Sequence, residues 1–134
     1  MSDISITATS VVQGGNAVVD HGIAGVAVTA GQTVYKDAAT GKYKLADCNL
    51  AGAYPATGIA LNGAAANQHV AVQQSGDITV GGTLTAGSPY YLSATAGGIM
   101  PAADLTTGDN VVLLGLAKST SVLSLKITTP GVTL

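Results

Sequence analysis

The sequence predicts an all-β protein: a compact β-sandwich or barrel-like domain with an internal pseudo-repeat and an N-terminal strand or arm. Three observations predict it. Apolar and polar residues alternate with the two-residue period of half-buried strands, turn residues recur every few positions, and no stretch carries a helical period with caps.

The first run is "ISITATSVV", in which Ile4, Ile6 and Ala8 alternate with Ser5, Thr7 and Thr9 before Gly14-Gly15 breaks the pattern. It reads as a strand. The break sets residues 1–20 apart, either as an arm that pairs with another chain or as the first strand of the domain's own sheet; residues 21–134 then form a single β-domain. Val70 and Val72 alternate with His69, Ala71 and Gln73, giving a strand with one buried side. "VVLLGLA", 111–117, is continuously apolar and reads as a central strand buried on both faces. Leu123, Leu125 and Ile127 alternate with Ser124 and Lys126 in a last strand. Between these runs, Gly41, Asn62-Gly63, Gly76-Asp77, Gly81-Gly82, Gly97-Gly98 and Gly108-Asp109 supply turns. "LADCNLAGAY", 45–54, holds one turn of helix at most.

One hairpin is written twice. "AGQTVYKDAATGKYKLAD", 30–47, matches "AGSPYYLSATAGGIMPAAD", 86–104, with Ala30-Gly31 against Ala86-Gly87, Tyr35 against Tyr91 and Gly41 against Gly97. The match continues through Gly58-Ile59-Ala60 against Gly115-Leu116-Ala117, and sets the run ending at Gly76 against the run ending at Gly131. Each copy reads as hairpin, loop, strand, loop, strand, with halves at about 24–76 and 80–131. A half of this size cannot bury its apolar face alone, so the two pack together.

Composition narrows the function classes. Charged residues reach 9%, against the usual quarter, while Gly numbers 18 and Tyr is the only aromatic. Five Lys, no Arg and a net charge of −2 give no basic field for nucleic acid. The single Cys48 excludes an internal disulfide and a Cys-based zinc site, and a free thiol suits a reducing cytoplasm. "MSDISITATS" lacks the features of a signal peptide, and no apolar run has the length to cross a bilayer. A neutral Thr-, Ser-, Ala- and Gly-rich surface invites burial against another molecule.

Candidate chemistry is sparse. Asp20-His21 is a sequence neighbour pair, not a triad geometry, and no Gly-x-Ser-x-Gly elbow accompanies it. His69 opens a strand and points away from Val70 and Val72, to solvent. Two His without an acidic partner make no zinc or iron site, and the seven Asp are scattered among turns. Tyr35, Lys36, Lys42, Tyr43 and Lys44 form the best basic-aromatic patch, which reads as a solvated hairpin or a protein contact. Tyr90-Tyr91 reads as packing anchors rather than a sugar platform. No catalytic, cofactor-binding or metal residue is expected, and no enzyme activity.

The ordered series "AG-x-x-VY-x-D…GK-x-x-LAD", "GIAL", "Q-x-V-x-V-x-x-SG" and "AG-x-x-YYLS-x-TAGGI-x-P…DL-x-x-GD…LG-x-A" resembles the small phage capsid cement, or head decoration, proteins over about residues 20–127. The resemblance implies a non-enzymatic β-domain that binds the outer surface of an assembled phage head and stabilises it. Its partners would be the major capsid protein and itself, as a homo-oligomer, a trimer before a dimer, with no nucleic acid, membrane or cofactor. Its place would be the virion surface, after synthesis in the bacterial host cytoplasm. A head-fibre or receptor- or glycan-binding β-module is the alternative. On the cement reading Ile4, Ile6, Val11 and Val12 are the expected capsid-contact residues, since an added strand binds through its backbone. Deleting residues 2–12 is then expected to leave a folded domain.

Overall fold

The computed structural model describes residues 3–48, 56–105, 107–128 and 133; most of the stretch 45–54 lies outside the described residues. The described residues form ten strands: β1 (Val11–Gln13), β2 (Val18–Ile23), β3 (Thr33–Lys36), β4 (Tyr43–Leu45), β5 (Gly58–Ala60), β6 (His69–Val80), β7 (Pro89–Leu92), β8 (Ile99–Pro101), β9 (Leu113–Ala117) and β10 (Val122–Thr128). They pair antiparallel in one curled sheet of order β4-β3-β5-β6-β10-β9-β7-β8, with β1 and β2 added along β6. Two short 3-10 turns, Ala8–Ser10 and Ala102–Asp104, are the helical content among the described residues. The protein is all-β, as the two-residue period requires.

β6 organises the molecule. Its first part lies between β5 and β2, with Gln73 opposite both Ile59 and Val19; its second part lies between β10 and β1, with Ile78 opposite both Leu123 and Gln13. Gly76, at φ +94°, bends the strand between the two parts. The buried Gln73 side chain holds the bend, its Nε2 donating to the carbonyls of Ser75 (3.1 Å) and Asp77 (2.8 Å).

The repeat is present in the strand register. Val34 pairs with Leu45 and Lys36 with Tyr43; Tyr90 pairs with Pro101 and Leu92 with Ile99, a constant step of 56 residues (34 to 90, 45 to 101). Thr33↔Ile59 becomes Pro89↔Leu116, a step of 57 for the third strand (59 to 116). Backbone bonds repeat as well: Gly31 N–H to Ala60 O (2.8 Å) and Gly87 N–H to Ala117 O (2.7 Å), with both glycines at positive φ, where a side chain would be strained. Ala60↔Val72 becomes Ala117↔Leu123, so the fourth strand steps by 51 (72 to 123), not by the 55 that sets Gly76 against Gly131. The cause is a shorter path between the paired residues: five residues, 118–122, separate Ala117 from Leu123, where eleven, 61–71, separate Ala60 from Val72. The repeat also reaches back into the first 20 residues: Asp20↔Val72 corresponds to Ile78↔Leu123. Each copy is therefore a five-stranded sheet, and β6 serves as the last strand of the first copy and the first strand of the second.

Each copy has its own core. Val34, Tyr43, Ala60, Val70 and Val72 gather with Ala24, Val28 and Ala64 in the first. Ile78, Val80, Leu84, Tyr90, Leu92, Ile99, Leu114 and Leu123 gather in the second, which also takes in Ala46, Cys48 and Ile59 from the first copy and so joins the halves. The second copy's hairpin turn completes the join: Thr33 N–H donates to Gly97 O (2.9 Å), Gly97 N–H to Ala46 O (2.8 Å) and Cys48 N–H to Ser93 O (3.1 Å).

Two further sequence expectations change. The run "ISITATSVV" is not one strand. Residues 3–7 run along the domain with single backbone bonds, Ile4 N–H to Ile99 O and Thr7 N–H to Gly81 O, then turn at Ala8–Ser10 before β1 pairs with β6. The run 111–117 is not buried on both faces: Val112 and Leu114 are fully buried, but Leu116, on the other side of β9 from Leu114, is 52% exposed.

Candidate interaction surface

Neighbouring residues on a strand point to opposite faces, and this separates Asp20 from His21. The Asp20 carboxylate lies under the sheet and accepts the hydroxyl of the fully buried Tyr43. That bond holds the Asp20 carboxyl below its ordinary value, while burial and the same carboxylate raise the Tyr43 phenol. His21 faces outward, against His69. No Ser joins Asp20 and His21, and no group of three or more His, Cys, Asp or Glu able to hold a metal occurs among the described residues.

The basic-aromatic patch stays on the β3–β4 hairpin, with Tyr35 opposite Lys44 and Lys36 opposite Tyr43, and each of its lysines has a partner. Lys36 Nζ lies 5.8 Å from the centre of the Tyr43 ring, Lys42 Nζ donates to Asn67 Oδ1 (2.7 Å), and Lys44 pairs with Asp37 (2.8 Å), holding that carboxyl below its ordinary value. Tyr90 is a packing anchor: its ring is buried and its hydroxyl accepts the Thr85 N–H (2.8 Å). The Cys48 thiol is fully buried, and burial first, then Asp109 and Asp47, pushes its pKa up to about 12.

Of the four residues expected to meet a partner, Ile4, Ile6 and Val11 pack against the domain's own larger core, and Val12 alone turns outward, 58% exposed. Sequence reasoning missed Leu116. The row Thr33–Ile59–Gln73 across the first copy is fully buried, whereas its counterpart Pro89–Leu116–Ser124 is open. Leu113 and Leu116 line a groove of about 710 Å³ along β9 and β10, with Ser124 and Thr128 beside them. Lys118, paired with Asp77 (2.7 Å), and the exposed Lys126 also line it. Where Thr33 donates its N–H to the incoming Gly97 turn, Pro89 has no N–H to give, and Pro101 takes the place of Leu45. The second copy therefore cannot receive a further hairpin turn as the first copy does. The signal for this was in the sequence, since both prolines interrupt the repeat at aligned positions.

Compared with protein-family models, with curated proteins and with solved structures, the chain matches none.

Proposed function

We propose that this protein is a non-enzymatic structural protein that binds the outer surface of an assembled phage capsid and stabilises the head. The observation that carries the reading is the open Leu116 face: a row buried in one copy is presented to solvent in the other, around an apolar groove lined also by two lysines. An exposed leucine set in a recess of mixed polar and apolar lining gives a partner surface both an apolar seat and charged contacts. The resemblance of residues 20–127 to the capsid cement proteins supplies the partner, the major capsid protein, with copies of this chain as the second partner and the virion surface as the location. The tightly joined halves suit a load-bearing clamp, since relative motion between them would break both the core and the turn contacts.

The test is to purify virions on a density gradient and quantify this chain against the major capsid protein. A fixed ratio near one per capsid subunit is the expected result. A handful per particle assigns the chain to a fibre or receptor-binding role instead, and absence from the particle overturns the reading.

A further inference from the structure

His21 and His69, 48 residues apart, meet on the exposed side of the first copy. β2 and β6 pair with His21 opposite Ala71 and Ile23 opposite His69, so the two imidazoles are diagonal neighbours on one face. Their rings lie at 18° to one another with centroids 5.2 Å apart, and His21 Nδ1 is 3.1 Å from His69 Nε2. One ring donates a proton to the other across that gap. The pair belongs to this end of the molecule alone: the chain has two histidines, and Thr79, opposite Val122, takes the place in the second copy that His21, opposite Ala71, holds in the first.

Against the expectation from the sequence that two histidines without an acidic partner hold no metal, we propose that this pair is a two-ligand binding site for a divalent cation that favours imidazole nitrogen, of the Cu²⁺, Ni²⁺ and Zn²⁺ class. Metal–imidazole bonds run to about 2.0–2.1 Å. Two nitrogens 3.1 Å apart then subtend roughly 95–100° at a shared ion placed at that bond length from each, between the square-planar and tetrahedral angles these ions adopt. The ion takes the place of the shared proton: the donor ring shifts that proton through solvent to its other nitrogen, so both rings bind as neutral imidazoles, and water completes the coordination. With two protein ligands the site is open and labile, unlike the closed four-ligand sites that hold structural zinc. Its effect is mechanical: among the described strands β2 pairs with β6 alone, and a metal bridge fixes it there. This site stands independently of the capsid reading.

The test uses tag-free protein, which carries only these two histidines, titrated calorimetrically with Ni²⁺ and Zn²⁺ at pH 7.5 and again at pH 5.5. The expected result is one ion per chain, with affinity lost at the lower pH as protons compete for the nitrogens. His21→Ala and His69→Ala should each weaken binding about tenfold or more, since a lost supporting contact alone costs about that much. Ni²⁺ should raise the melting temperature of the wild type and not of either variant. Both ring resonances should shift or broaden together on addition of the ion. Binding that survives either substitution unchanged, no measurable binding, or broadening of one ring without the other overturns the proposal.

Discussion

Gly58 and Gly115 occupy the same place in the two copies, each pressed against a carbonyl oxygen of the strand beside it. A Cβ on Gly58 would run into the oxygen of Gln73, and one on Gly115 into that of Ser124, the counterpart of Gln73. A backbone oxygen held in a ladder cannot swing aside as a side chain can. Gly58→Ala and Gly115→Ala should each cost about 1–3 kcal/mol, as overpacking does. Gly15→Ala, with open space around its Cβ, should stay within about 0.5 kcal/mol of wild type. Urea unfolding of the three variants checks this.

Ile59 and Leu116 are the same residue of the repeat in opposite surroundings, fully buried in one copy and 52% exposed in the other. Ile59→Ala should destabilise by about 2–4 kcal/mol, and Leu116→Ala by no more than about 0.5 kcal/mol. Leu116→Asp should keep the fold, and on the proposed capsid role it should lose binding to phage heads lacking this protein in a co-sedimentation assay. Retained binding would move the contact face elsewhere.

Acid should loosen the first copy through Asp20 and Asp37. Both carboxyls are held below the ordinary 3.8 by their partners, the Tyr43 hydroxyl first for one and the Lys44 ammonium first for the other. A carboxyl lowered by folding contributes stability that is complete above its unfolded value and is lost as the pH falls through its folded value. The melting temperature should therefore decline below about pH 4, and the decline should be shallower in Tyr43→Phe and in Asp37→Asn. A melting series from pH 7 to pH 2 reads the slopes.

Cys48 should be silent in the native protein. Its buried thiol, with a pKa pushed up to about 12, presents neither access nor thiolate at pH 8. A colorimetric disulfide reagent should leave it unmodified until denaturant is added, then titrate one thiol per chain. Rapid reaction without denaturant would place the 46–48 segment outside the core.

Removing residues 2–12 should destabilise the domain rather than leave it intact. Ile4 and Ile6 pack on the larger core, Asp3 accepts the Ser93 hydroxyl (2.7 Å), and β1 pairs with β6. A truncated chain that melts at the wild-type temperature would refute this.

The alternating runs and turn glycines were legible because a two-residue period is a local property of the backbone. The hairpin repeat was legible too, since its step of 56 survives in the register. Burial was not legible at Leu116: an apolar residue in an apolar run looks the same whether or not a second layer covers it. The irregular path of Ile4 to Thr7 was hidden for a related reason, since alternation reports side-chain direction and says nothing of which carbonyl a backbone N–H will find. The His21–His69 meeting depends on the β2–β6 register across 48 residues, which no local pattern encodes.

The sharing of β6 bears on how the molecule responds to force. β1 and β10 flank its second part and run in the same direction, both antiparallel to it, with Val11 opposite Val80 and Val122 opposite Thr79. Tension applied between the chain entering β1 and the chain leaving β10 acts along the strand axes, so the interstrand bonds on both sides of β6 are sheared together rather than peeled one by one. The same strand continues without interruption into the first copy, which carries the load across the middle of the domain through covalent bonds.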